Sequence, residues 1–275
     1  MRQMFLSSRH GLRRLFWLAN LLLAVFLCLG LWFSYQLHLR YAQERAENTA
    51  LTIDRTLSGM LDQIDLLLLS VQDELEVGLA RGKIASGKVD HLIERLVRNV
   101  QGVNTVRYSN IDGQAAANTG FPAMSPANNY SDRDYFRILR DRPDVGMVNS
   151  QPLIGRTSGR PGIVFGRAYR KPDGSFAGTV IVSIDTARIS GLFSALELGE
   201  RSVLRFFDQN YSSLVRYPDY DDKSRIGSAV NPAVVEQLQS GLTKYVLIRV
   251  SRSDGIRRIY AGRKLELHPY LVEVG

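Results

Sequence analysis

From Leu15 to Tyr35 the chain reads LFWLANLLLAVFLCLGLWFSY, with no charged residue and only Asn20 and Ser34 as polar side chains. About 20 apolar residues in helical form cover the ~30 Å hydrocarbon core of a bilayer. Phe16 and Trp17 stand at one end and Trp32, Phe33 and Tyr35 at the other, where amphipathic rings favour the interface. Arg2, Arg9, Arg13 and Arg14 precede the run with no acid among residues 1–14, whereas Arg40 and Arg45 beyond it are offset by Glu44 and Glu47. The positive-inside rule then keeps residues 1–14 in the cytoplasm and puts the chain after residue 37 outside. A cleaved signal peptide is the competing reading, but its apolar region is about 7–15 residues and ends in a small-x-small site. This run is longer, ends in Trp-Phe-Ser-Tyr and passes directly into a helical pattern.

The chain beyond the anchor is long enough and apolar enough to fold. Of 275 residues in all, 45% are hydrophobic and 23% charged, the proportions of an ordinary folded protein. A net charge of +8 raises nucleic acid or anionic lipid as partners. The arginines are scattered among acids, however, as in Ser131-Asp132-Arg133-Asp134 and Arg140-Asp141-Arg142, and no basic block interleaved with aromatics occurs. That argues against a nucleic-acid groove. Cys28, inside the apolar run, is the one cysteine, so neither an intrachain disulfide nor a cysteine-based zinc site is available. His10, His38, His91 and His268 do not fall at metal-ligand spacing. No metal or cofactor is expected.

Between His38 and Arg81 there is no proline, and Leu57, Leu61, Ile64, Leu68, Val71 and Leu75 step alternately by four and three, with Leu79 four further on. This is helical spacing close to a 3.5 repeat. Continuous with the anchor, it predicts a helix reaching on the order of 65 Å beyond the membrane. The stripe packs either on its own domain alone or, in its membrane-proximal part, also on a second subunit as a homodimer. Gly82 and Gly87 break the helix, and Val89, Leu92, Ile93, Leu96, Val97 and Val100 mark a second amphipathic one.

The pattern then turns to strands. Residues 103–108 alternate and lead into Asp112-Gly113, a hairpin signal. A polar excursion over 114–145 holds a short helix around 135–142, strands follow at 146–151 and 162–169, and Lys171-Pro172-Asp173-Gly174 turns the chain into a strand over 176–184. A connecting helix covers 186–198. Strands at 203–207 and 213–217, an excursion with a helix near 232–240, and strands at 244–250 and 256–263 repeat the same order, and a strand-like run closes at 270–274. The two halves share pattern without a residue-level repeat. The fold class expected is α+β: a transmembrane helix over 15–36, a stalk and second helix over 37–101, and two small antiparallel-sheet modules over 102–186 and 201–275, joined through 187–200.

The stretch Ser131-Asp132-Arg133-Asp134-Tyr135-Phe136, then Ser158-Gly159-Arg160-Pro161, Arg167-Ala168-Tyr169 and Pro172-Asp173-Gly174-Ser175-Phe176-Ala177-Gly178, resembles double Cache sensor domains. These are tandem PAS-like modules, and this version is similar to those found ahead of diguanylate cyclase domains. The resemblance covers about residues 38–275. It implies a ligand pocket in the membrane-distal module, a bacterial inner-membrane location with the modules in the periplasm, a second membrane span beyond residue 275 and a cytoplasmic output domain.

It also implies site residues. In amino-acid-binding members an Arg-x-aromatic-aromatic element and a later Asp hold the ligand, and the matching positions here are Arg133, Tyr135, Phe136 and Asp185. Tyr130 is a further aromatic wall. A guanidinium is a planar fork suited to carboxylate or phosphate, ring faces attract cations, and Asp185 can receive an ammonium group. The ligand expected is a small polar or carboxylate-bearing metabolite, amino acids included. Each residue has a plainer reading: Arg133 in an ion pair with Asp132, Asp134 or Asp141, Tyr135 and Phe136 in the core, and Arg156 and Arg160 in solvent with an anion contact open to them.

Three functions compete. A sensor changes the pose of the long helix when its ligand binds. An exported enzyme would need a nucleophile motif or a carboxylate pair; no Gly-x-Ser-x-Gly elbow or usable cysteine is present, and a carboxylate pair stays open. A partner-docking module would leave the pocket vestigial.

Overall fold

The computed structural model describes residues 2–100, 103–115, 129–156, 158–196, 198–199, 201–218, 230–251 and 254–275, with backbone alone for 2–14 and Asn99. Most of both polar excursions (116–128 and 219–229) and Ser253 of the last expected turn lie outside these residues.

The apolar run and the stalk form one uninterrupted helix, α1 (Arg2–Ala80). Its membrane segment is apolar over its whole circumference, with Phe26, Leu31 and Trp32 all exposed, and it is long and apolar enough to cross a bilayer. Beyond it only one face is buried. Leu57, Leu61, Ile64, Leu68, Val71 and Leu75 are fully enclosed, and Ala50 and Ile53 extend the stripe toward the membrane. Each leucine-sized side chain so enclosed contributes about 2 kcal/mol. Gly82 (φ 77°) turns the chain back, after which α2 (Ser86–Asn99) packs on α1. Only the first of the two glycines expected to break the helix does so; Gly87 sits in the first turn of α2.

Two five-stranded antiparallel sheets lie along α1. The distal sheet contains β1 (Thr105–Asn110), β2 (Val148–Asn149), β3 (Leu153–Ile154), β4 (Pro161–Arg170) and β5 (Phe176–Asp185), with α3 (Asp134–Asp141) on its outer face. The single strand expected at 146–151 is instead the pair β2 and β3, both on the edge of β4. Pro152 between them has no N–H to give the ladder. The connecting helix α4 (Thr186–Ser194) is shorter than expected and leads to β6 (Leu204–Phe207), β7 (Ser213–Tyr217), α5 (Pro232–Gln239), β8 (Lys244–Val250), β9 (Arg257–Lys264) and β10 (Leu271–Val274). The proximal sheet runs β7-β6-β10-β9-β8.

The two modules match in register, not only in order. In each, the last strand lies between the first and the penultimate: β5 between β1 and β4, β10 between β6 and β9. The turn after each first strand is closed by a side-chain carbonyl or carboxylate. Asn110 Oδ1 accepts from the N–H groups of Asp112 (3.0 Å) and Gln114 (2.9 Å), and Asp208 Oδ1 from those of Asn210 (2.9 Å) and Ser212 (2.8 Å). The residue three beyond each, Gly113 (φ 77°) and Tyr211 (φ 61°), is left-handed. Its carbonyl then receives the N–H of Tyr130 (2.9 Å) or Val230 (3.1 Å), where the chain returns from the excursion.

Polar side-chain contacts fix both sheets to α1. Arg167 donates twice to Asp65 (2.5 and 2.9 Å), Arg263 to Asp54 (2.7 Å), and His268 lies 2.9 Å from Asp62. The modules also touch each other: Gln151 donates to Asp208 (2.5 Å), Tyr270 Oη to Asn149 (3.2 Å), and the Tyr270 ring packs on Phe165 and Phe206.

Candidate functional site

Strand alternation sends Val106 and Tyr108 of β1 toward the core shared with α1 and leaves Arg107 on the opposite face. There α3 lies across the sheet. Its apolar positions Tyr135, Phe136 and Leu139 face inward at helical spacing, and Arg133 is its N-cap residue, in extended conformation (φ −78°, ψ 143°). Between helix, sheet and the β3–β4 turn is a cavity of about 60 Å³. Its walls include Arg107, Tyr130, Arg133, Tyr135, Arg156 and Ser183, with Leu153, Val164 and Ile181 as the apolar part.

The sequence-predicted residues divide at this cavity. Tyr130, Arg133 and Tyr135 line it. Phe136 does not; it is 1% exposed and stacks edge-on against Phe176 (centroids 5.6 Å, 85°) among Leu139, Val148 and Ala168. Asp185 ends β5 two residues beyond the wall residue Ser183, precedes the first turn of α4, and lies 3.6 Å from Arg160.

The ion pair considered for Arg133 is not formed. Asp132 pairs with Arg156 and Asp141 with Arg140 (2.9 Å), while the Asp134 carboxylate accepts from the Tyr135 N–H (2.8 Å). Among the described residues Arg133 forms no ion pair, and its one hydrogen bond is a long donation to the Ile154 carbonyl (3.5 Å). Arg156, expected in solvent, is drawn into the wall instead, bridging Asp132 and the Asn129 carbonyl. Arg160 is solvated as expected, 75% exposed. Arg107, not anticipated, is 4% exposed and donates to Tyr130 Oη (3.1 Å). Arg107 stands on the outer face of β1, between Val106 and Tyr108 that face α1, so alternation alone gave no sign that it would be buried.

The electrostatics follow from these neighbours. The hydrogen bond from Arg156 holds the Asp132 carboxyl below the usual carboxylate range. Burial, reinforced by Tyr130, pushes the Tyr135 phenol well above its ordinary value, so it stays neutral and able to donate. The wall therefore offers guanidinium and phenol donors, with no Asp or Glu side chain among its described residues.

No family model and no curated protein matches this sequence. Solved structures do match in fold. The extracellular domain of the histidine kinase rpHK1S-Z16 superposes with a TM-score of 0.71 at 22% identity, covering 86% of this chain and 94% of that one. The periplasmic sensory domain of the Campylobacter jejuni chemoreceptor Tlp1 gives 0.67 at 10% identity, covering 84% and 93%. The sensory domain of C. jejuni Tlp3 with isoleucine bound gives 0.58 at 12%, covering 88% and 96%. At these identities the likeness establishes the fold, a long helix carrying antiparallel sheets.

Proposed function

We propose that this chain is the extracytoplasmic sensor region of a membrane-bound receptor in the bacterial inner membrane, with residues after 37 in the periplasm. It binds a small polar or carboxylate-bearing metabolite in the distal module. The observation that carries this reading is the cavity beside Arg133, whose charge has no carboxylate partner among the described residues. It lies on the sheet held by a helix continuous with the apolar span. A ligand that binds one pose of α3 and the β3–β4 turn better than another shifts the population of that pose. The contacts of Asn149 and Gln151 with Tyr270 and Asp208 supply a route from the distal sheet to the proximal one. The output is a cytoplasmic domain, of diguanylate cyclase type by the resemblance to sensors that precede such domains. The sensor fold and amino-acid ligand of the Tlp3 structure support the same reading. No catalysis is assigned to this chain.

Two copies associate along α1 in this proposal. The stripe beyond Ala50 is buried on the chain's own sheets, so the contact falls on residues 37–49, where Leu37 is 38% and Tyr41 61% exposed.

The full chain in detergent, screened against small metabolites by thermal denaturation, tests the ligand. A binder of the folded state raises the melting temperature. Arg133→Ala is expected to abolish the rise and leave the unliganded melt unchanged; a variant that unfolds outright gives Arg133 a structural role. A reporter fused at residue 150 that is active only in the cytosol would overturn the topology and the receptor reading together.

A further inference from the structure

We infer that the distal cavity takes the carboxylate of a small organic acid that carries no amine. This rests on the cavity being the sensor's ligand site, and two observations of the molecule support the ligand class.

The first is the proximal module, which shows what the same position does when the chain fills it. Arg107 of β1 is paired in register with Ile181 of β5, and Arg205 of β6 with Glu273 of β10. Arg107 and Arg205 each stand three residues before the turn-closing Asn110 and Asp208, so the two pairs are equivalent places in the two sheets. In the proximal module Glu273 is 1% exposed and accepts from Arg249 (2.6 Å) and from Tyr245 Oη (2.7 Å). A carboxylate is thus held by guanidinium and phenol on the outer face of the sheet. In the distal module the residue in that place is Ile181, it lines a cavity, and the surrounding donors are again guanidinium and phenol: Arg133, Arg156, Tyr130 and Tyr135. The donor types recur, from other positions, and among the described lining residues there is no carboxylate.

The second is the charge balance of the wall. Among the described residues the guanidinium groups of Arg107, Arg133 and Arg156 line the cavity, and none of the described lining residues is an acid. Asp132 is engaged by Arg156 and Asp185 lies near Arg160. The excursion 116–128 reads AANTGFPAMSPAN and contains no acid. An ammonium group brought here would meet like charge and lose its water without a carboxylate to replace it. The cavity is small, about 60 Å³, which suits a carboxylate on a short carbon chain.

Titration calorimetry on the full chain in detergent, with acids matched except for the amine, tests this. L-Lactate is set against L-alanine, and L-malate against L-aspartate. The hydroxy acid of at least one pair is expected to bind roughly tenfold or more tightly than its amino acid, with Arg133→Ala weakening it by a similar factor and Arg133→Lys by less. If alanine or aspartate binds as tightly as its partner, the amine-free class is wrong while the sensor reading stands. If binding persists unweakened in Arg133→Ala, the cavity is not the site and both readings fall. No binding by any of the four at about 10 mM also overturns the organic-acid class, and the metabolite screen then judges the sensor reading separately.

Discussion

The two modules share strand order, register and turn geometry, yet one is closed on itself and the other is not. In the proximal module the turn-closing Asp208, the left-handed Tyr211 and the returning Val230 repeat the places of Asn110, Gly113 and Tyr130. The chemistry differs at the residues that face outward from the sheet. Glu273 supplies an acceptor to Arg249 and Tyr245 from within, although Arg249 Nε stays buried without a hydrogen-bond partner among the described residues, and Val234 and Leu238 of α5 lie over Phe207 and Leu271. The distal donors surround a cavity. A scaffold can therefore be duplicated while the chain places a carboxylate among the outer-face donors in one copy and an isoleucine beside a cavity in the other. Fold similarity alone does not distinguish these two cases.

The largest effect that separates the modules is expected at Glu273. Glu273→Ala leaves Arg249 and Tyr245 without their acceptor in a nearly dry place and should cost about 3–5 kcal/mol, read by thermal denaturation of the full chain in detergent. A loss below about 1 kcal/mol would mean that the proximal cluster is not closed as described. The reverse exchange is next. Ile181→Glu puts a carboxylate in register with Arg107; it should fold with a loss of about 1–2 kcal/mol and bind none of the organic acids that wild type binds. If it binds them normally, the equivalence of the two positions is broken. Third, Arg133→Ala should change unliganded stability by less than about 0.5 kcal/mol, because Arg133 lacks the ion pair that Arg249 has. A large loss would make the distal module as self-contained as the proximal.

The smallest effect is in pH. Hydrogen bonds from Arg258 (2.8 and 2.6 Å) hold the Asp254 carboxyl far below its ordinary range, against the opposing effect of burial. Its contribution is complete above the unfolded value of about 3.9 and is lost as pH falls through the lower folded value. Asp254→Asn should therefore flatten the acid limb of the stability curve below about pH 4. Asp132, lowered in the same direction by Arg156, is 61% exposed, so water and salt screen it. Asp132→Asn should flatten the curve less, and an equal effect would show that exposure does not separate the two sites.

Some of this was legible in advance because its causes are local. Lys171-Pro172-Asp173-Gly174 specified its turn, with Gly174 at φ 84° and Asp173 Oδ1 accepting from the Ser175 N–H (2.9 Å). β7 and β8 fall on the expected residues because alternation and turn residues bound them. The site was less legible. The motif around Arg133 drew attention to Tyr130, Arg133 and Tyr135, but the same stretch put Phe136 into the core, and Arg156 looked like a solvated turn residue until Asp132, 24 positions earlier, was seen beside it.

The amino-acid sequence by itself determined the apolar helix, its continuation as a one-sided stalk and the succession of hairpins, since each depends on spacings of two, three or four residues. Tertiary structure decided which arginines converge, which carboxylates are already taken and that Ile181 stands where Glu273 stands in the other module. Those relations join strands about 70 residues apart through ladder register, and register is set by the packing of whole faces rather than by neighbours along the chain.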